Sequence, residues 1–317
     1  VSTDLSLRTA VSALDRPTEP GAFGFVATDA GEIAWERVQR VSYLIRQQFH
    51  YDYPGPISQL KQRLIVIPPE RHGDQRLIMH KLEVSSRASE ARHEFDRFGN
   101  WIVNLSVDQV AESIDFTSWV VVERERGEEP FWVSQRVATD PGWREQTSLT
   151  GVSPELRELA RQLAAEASDA EDFADRCMTS IYRSLRYRPG VTGVETTAAE
   201  AFALGQGVCQ DYAHIMLALC REHGLPARYV SGHLLGEGAT HAWVEVLLPD
   251  RVRPGRTVAV AFDPTHGVRP GCTYVTVAIG RDFHDVTPTS GQFWAPYTGR
   301  LTSTKLAGAL AIQYRED

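Results

Sequence analysis

Cys209, His241 and Asp263 are the residue types from which a thiol nucleophile, its base and a base-orienting carboxylate are built. Cys209 stands in Gly205-Gln206-Gly207-Val208-Cys209-Gln210-Asp211-Tyr212-Ala213-His214, where two glycines free the backbone for a tight turn and a helix begins. Cys209, Ala213, Met216, Leu217 and Cys220 then share one helical face, and Gly224 with Pro226 ends it. A cysteine at a helix N-terminus sits among unpaired N–H groups at the positive end of the macrodipole, which favour thiolate over thiol. The Cys209 N–H is also a natural donor to an oxyanion, and no residue suggests itself as the second donor.

The chain has ten histidines, and strand geometry selects one of them. The β-rich runs 240–248 and 257–263 flank Pro249-Asp250-Arg251-Val252-Arg253-Pro254-Gly255, which reads as a hairpin loop. A loop centred on Val252 sets His241 directly opposite Asp263, within reach of an imidazole–carboxylate hydrogen bond. His241 would then share the thiol proton, Asp263 would fix its tautomer, and Cys209 would attack an acyl carbon to form a thioester. Taken singly, Cys209 could be a small buried residue, His241 a strand histidine beside Trp243, and Asp263 the start of an Asp-Pro turn. The three together favour the chemical reading.

Other histidines have plainer readings. His214 falls five positions past Cys209, about 140° round the helix, and is not expected to face the same substrate. His233, His266 and His284 read as surface residues or as supports to the site. His72, His80 and His93 read as ordinary surface or strand histidines. No metal site is expected: His233 with His241, or Cys272 with His266, matches no usual ligand spacing.

Two sets of elements must position these groups. Strand signals occupy residues 41–49, 60–67, 77–84, 101–107 and 119–122, the spacing of an antiparallel β-sandwich. Polar, breaker-rich residues from Gly127 to Gly151 read as a linker. Ser153-Pro154 opens a helix with the apolar stripe Leu156, Leu159, Ala160, Leu163, Ala164; Phe173, Cys177, Ile181 and Leu185 mark a second; Thr197-Ala198-Ala199-Glu200 is a capping box for a third. The Cys209 helix follows, then strands at 227–235, 240–248, 257–262 and 274–279. Helices followed by strands is an α+β order. The expected organisation is an arm at 1–32, a β-rich domain with linker at 33–150, and a catalytic core with C-terminal strands at 151–317.

A net charge of −8 argues against nucleic acid or an anionic membrane surface as partner, because both call for a basic face. No apolar run reaches the length of a membrane span, and Val1–Pro20 lacks a signal-peptide core. The four cysteines form no CxxC pair, so free thiols in a reducing, cytoplasmic setting are expected, with Cys177 and Cys220 as small core residues. No cofactor is expected.

The chain resembles the bacterial transglutaminase-like superfamily. The resemblance rests on Thr196-Thr197-Ala198-Ala199-Glu200, on the Gly205–His214 segment, on Gly224–Gly232, Thr240–Val246, Ala261–Gly267 and Gly280–Pro288, and on Asp96-Arg97-Phe98-Gly99-Asn100 within a β-rich region at 43–123. It implies a papain-like core, preceded by an antiparallel β-sandwich, with a Cys-His-Asp triad falling on Cys209, His241 and Asp263. His266 stands where many relatives carry Asn. The expected activity is acyl transfer on a peptide or amide bond of a protein or peptide substrate. Hydrolysis is favoured over cross-linking, because the chain has neither an acidic calcium loop nor the further β-domains of calcium-dependent cross-linking enzymes. A non-catalytic scaffold is the competing reading.

Overall fold

The computed structural model describes residues 25–26, 31, 33–127 and 129–315. The expected arm at 1–32 therefore lies almost wholly outside the described residues.

Seven strands come first: β1 (Val38–Asp52), β2 (Ile57–Leu64), β3 (Arg71–His72), β4 (Gln75–Val84), β5 (Glu90–Phe95), β6 (Trp101–Val110) and β7 (Ser113–Glu125). They build two antiparallel sheets over a core that includes Phe49, Leu60, Leu64, Val103, Leu105 and Phe116. The period-two pattern of β6 works as expected, with Val103, Leu105 and Val107 buried on one face. Ile102, on the other face, is buried too, because it packs into the core of the helical half. Sequence reasoning passed over β5, whose six residues are all exposed and so carry no apolar alternation.

The second half opens with β8 (Trp132–Val133) and α1 (Gln135–Ala138), followed by α2 (Pro154–Glu166), α3 (Ala170–Ser184), β9 (Arg186–Tyr187), α4 (Ala198–Leu204), β10 (Gln206–Gly207) and α5 (Cys209–Glu222). Strands β11 (Ala227–Leu234), β12 (Thr240–Pro249), β13 (Thr257–Phe262) and β14 (Tyr274–Gly280) follow, then α6 (Phe283–Val286). The helix starts are set by the expected caps. Ser153 Oγ accepts from the Leu156 N–H at 3.3 Å, with Pro154 in the first turn. Thr197 and Glu200 satisfy each other's N–H groups at the start of α4, and Gly205 ends it in the left-handed region at φ 63°.

One helix departs from expectation. Instead of burying one stripe, α5 is buried on every side from Asp211 to Arg221, because α2, α3 and α4 surround it and the sheet β14-β11-β12-β13-β8 covers the rest. The stretch from Gly127 to Gly151 is also less open than its breakers suggest. Trp132–Val133 adds an edge strand to that sheet, and Trp143, Leu149 and Thr150 are buried. Buried Arg221 ties this stretch to α5, donating to the Trp143 carbonyl and to Thr150 Oγ1.

The last two strands, β15 (Thr289–Trp294) and β16 (Arg300–Tyr314), do not join the helical half that precedes them. They return to the first sheets, β15 beside β2 and β16 beside β1 along the length of that strand. The resulting sheet orders are β16-β1-β7-β4-β3 and β15-β2-β6-β5. The two halves also share hydrogen bonds. Side-chain amides of Gln75 and Asn100 pair with the backbone of β14 at Thr276 and Ile279, at 2.7–2.9 Å, capping what would be an open sheet edge. Among the described residues no helix is long and apolar enough to cross a membrane.

Candidate active site

The site is built where the start of α5 meets the ends of β12 and β13. Val208 precedes the helix in extended conformation, and Asp211, three residues on, turns its carboxylate back to accept the Val208 N–H and the Thr192 hydroxyl, each at 2.7 Å. Gly207 leaves room for this, since a Cβ there would lie 2.5 Å from the Asp211 carboxylate. The arrangement fixes Cys209 as the first helical residue, half-buried, with a backbone N–H that no intrahelical carbonyl can reach.

His241 and Asp263 meet, but not through the expected register. The β12–β13 ladder pairs Val244 with Phe262 and Pro249 with Thr257, so its loop is centred one residue past Val252. His241 and Asp263 are therefore diagonal, not directly opposite. The shift keeps parity, so both side chains stay on one face. Beyond Phe262 the chain leaves the ladder, and the Asp263 N–H pairs with the Val268 carbonyl instead.

Asp263 is fully buried and accepts from several donors. His241 Nε2, His266 Nδ1 and the Tyr274 hydroxyl donate to Oδ2 at 2.7–2.8 Å, while the Thr265 and His266 N–H groups donate to Oδ1. Burial opposes the charge on Asp263, but the bonds from His241 and His266 and the His241 charge hold it well below the usual carboxylate range. A carboxylate can only accept, so His241 carries a proton on Nε2, and its Nδ1 lies 3.4 Å from Glu237. Burial would lower the His241 pKa; hydrogen bonds to Asp263 and to Cys209 outweigh it and push the value up to about 10. Trp243 stacks beside the imidazole, and Tyr274 packs against both rings. Gly232 on the neighbouring strand admits this wall, since a Cβ there would lie 2.0 Å from the Val275 carbonyl oxygen and 2.7 Å from Trp243.

Three contributors escaped sequence reasoning. Glu237, in the β11–β12 turn, lies 3.4 Å from His241 Nδ1 and 3.3 Å from His266 Nε2. Lys305 of β16 donates to the Leu234 and Ala239 carbonyls and so fixes both ends of that turn from the other half of the molecule. Tyr274 reaches Asp263 from the first residue of β14. Only their place in the fold marks them; nothing in their spacing does. His266, read as a surface residue or a support to the site, is half-exposed and bonds Asp263 three residues before it. The remaining histidines divide. His214 turns inward and accepts the Phe283 N–H, and burial takes its pKa down to about 3. His233 is buried, His284 meets Glu195 near the surface, and His72, read as a surface or strand histidine, lies in β3 and bonds buried Glu245 at 2.7 Å.

Tyr187 lies on the rim of the site, its hydroxyl pushed up by partial burial and by the nearby charges of Cys209 and Glu237. A cavity of about 810 Å³, lined by His72, Phe131, Trp132, Trp243, Glu245 and Tyr274, borders the Trp243–Tyr274 wall. None of Cys209, His241 and Asp263 lines it.

Known proteins bear on this arrangement. Residues 157–253 match the Transglutaminase-like superfamily, and residues 43–123 match the Bacterial transglutaminase-like N-terminal region. An uncharacterized protein of Mycobacterium tuberculosis is 28% identical over 278 residues, spanning 78% of this chain and 86% of its own. One from Mycobacterium leprae is 29% identical over 270 residues, spanning 79% and 90%. A crystal structure from Cytophaga hutchinsonii, described as a candidate cysteine protease, superposes with a TM-score of 0.70 at 21% identity, covering 87% of this chain and 93% of that one. That likeness speaks for the fold: a papain-like core with mostly antiparallel sheets. The chain thus carries a transglutaminase-like superfamily core, preceded by a bacterial transglutaminase-like N-terminal region.

Proposed function

We propose that the protein is a cysteine-dependent acyl-transfer enzyme that opens a peptide or amide bond of a protein or peptide substrate through a thioester on Cys209. The observation that carries the reading is the Asp263–His241 bond at 2.8 Å, made through Nε2, which leaves Nδ1 to serve the thiol at the start of α5. The Cys209 thiolate attacks the carbonyl carbon, and the charge on the carbonyl oxygen falls near the Cys209 N–H. The C–N bond breaks as His241 gives its Nδ1 proton to the leaving amine, and a thioester remains. Water then attacks, passing a proton back to His241; the C–S bond breaks and the acid leaves. Asp263 stays ionised throughout and holds the imidazolium in place.

Water is the acceptor we favour, in line with the description of the Cytophaga protein; an amine acceptor would give transamidation by the same first half-reaction. The test compares wild type with Cys209→Ala on a proteome-derived peptide library, scoring both new termini and new ε-amide links. New termini from wild type alone support hydrolysis, and new ε-amide links from wild type alone would replace it with cross-linking. Identical products from the two proteins would overturn catalysis at Cys209.

A further inference from the structure

Asp263 orients two imidazoles at once. It engages His241 through Nε2 and His266 through Nδ1, each at 2.8 Å. Each ring therefore has one nitrogen left, and both face the same carboxylate: His241 Nδ1 is 3.4 Å from Glu237 Oε2, and His266 Nε2 is 3.3 Å from Glu237 Oε1. The three ligand atoms lie within 4.8 Å of one another. A carboxylate that fixes the tautomer of a histidine, leaving the other nitrogen for a metal, is the usual support of a metal-binding imidazole. Here one buried carboxylate does this for two histidines.

We propose that Glu237, His241 and His266 form a binding site for a zinc-like divalent transition metal, which on binding occupies the imidazole nitrogen that serves the thiol. Tetrahedral zinc with bonds near 2.0–2.1 Å places its ligands about 3.3 Å apart, so a modest turn of the half-exposed Glu237 carboxylate and a drawing-in of ligand atoms that lie within 4.8 Å of one another would seat the ion. Two imidazoles with one carboxylate suit zinc and its neighbours over calcium or magnesium, which prefer all-oxygen sets. Cys209 interacts with the same His241 imidazole. The site also has an entry path. The Glu237 and His266 side chains are 35% and 40% exposed, while His241 forms the buried floor at 2%. Binding releases the protons on His241 Nδ1 and His266 Nε2 to solvent and takes both nitrogens as ligands. The competing account is that the three groups form an ordinary ion-pair network.

The consequence for activity rests on the function proposed above, but binding does not, so the two can fail separately. The experiment titrates chelator-treated protein with Zn2+ alone by calorimetry and with Co2+ by visible absorption. One ion per chain is expected, with the absorption of a four-coordinate Co2+ site. Glu237→Gln and His266→Asn should each weaken binding by roughly tenfold or more, with unchanged circular dichroism. Cys209→Ala should still bind metal, because the three named ligands remain. In wild type, Zn2+ should slow iodoacetamide labelling of Cys209. Absence of binding by wild type at micromolar Zn2+, or unchanged affinity in both Glu237→Gln and His266→Asn, would overturn the site. So would loss of binding in Cys209→Ala alone, which would mark simple capture by the thiol.

Discussion

At the scale of the residue, the account turns on one carboxylate and one imidazole. Among the cysteines, Cys209 is half-buried at a helix start while Cys177, Cys220 and Cys272 are buried in packed surroundings, so iodoacetamide should label Cys209 first. Equal, slow labelling of all four would contradict this. The His241 pKa, raised to about 10 by Asp263 and Cys209 against the effect of burial, gives a signed prediction. A raised folded value means the charged imidazolium stabilises the folded site in full below its unfolded value, about 6.5, and that this support is lost as pH rises through about 10. In Asp263→Asn the alkaline limb of the kcat/KM profile should move down toward about 6.5, with a rate loss of roughly 10²–10⁴-fold. An alkaline limb that stays in place would remove Asp263 from the role given to it. The pairing of His241 with Asp263 was legible because His241 lies on one, and Asp263 directly follows the other, of two strands joined by a recognisable hairpin loop. The hairpin centre was misjudged by one residue, and the reading survived because the shift preserved strand parity. Glu237 and Tyr274 were illegible, since their roles depend on a turn and a neighbouring strand whose placement no local pattern encodes.

At the scale of the element, caps and turns carry the positional information. Ser153, Thr197 with Glu200, and Gly205 could be read from sequence because each solves a local problem of unpaired N–H or C=O groups. Thr197→Ala should lower stability by about 1 kcal/mol, measured by urea denaturation, with little effect on the thiol. Gly232 is a stricter case, because it makes room for tertiary neighbours instead of a turn. In Gly232→Ala the new methyl would meet the Val275 carbonyl and Trp243, so β14 and the wall behind His241 must shift. We expect a lower Tm together with slower labelling of Cys209; an unchanged Tm and labelling rate would show that the wall is not fixed there. Strand β5 was missed for the opposite reason. It is fully exposed, and an edge strand whose apolar residues are Ala91 and Phe95 has no apolar alternation to read.

At the scale of the whole molecule, the two halves are one assembly. Strands β15 and β16 complete sheets begun by β2 and β1, and Lys305 of β16 reaches back to hold the turn that carries Glu237. Ending the chain after Pro288 would leave the full length of β1 as an open edge. The shortened protein should aggregate, and a soluble, folded product that retains the site would contradict the assignment. A second link is buried Glu245, which bonds Arg228 of β11 and His72 of β3. Burial opposes its charge, yet the charges of Arg228 and His72 hold its pKa down to about 2. A lowered value means stability that is present above the ordinary glutamate range and lost as pH falls from there through about 2, worth about 3 kcal/mol. Urea midpoints of Glu245→Gln and wild type should therefore converge as pH falls across that window; a constant gap would contradict the link. The Glu245–His72 contact joins residues 173 positions apart, and no periodicity in the chain announces it.

The central claim is the covalent step. Wild type, Cys209→Ala and His241→Ala, each mixed with an activated acyl ester and quenched in acid, would be weighed as intact proteins. The account predicts one acyl group on wild type, carried by the Cys209 peptide, none on Cys209→Ala, and accumulation slowed by roughly 10²-fold or more on His241→Ala. Acylation of Cys209→Ala to the same extent as wild type, or acylation of wild type at the same rate without His241, would contradict it.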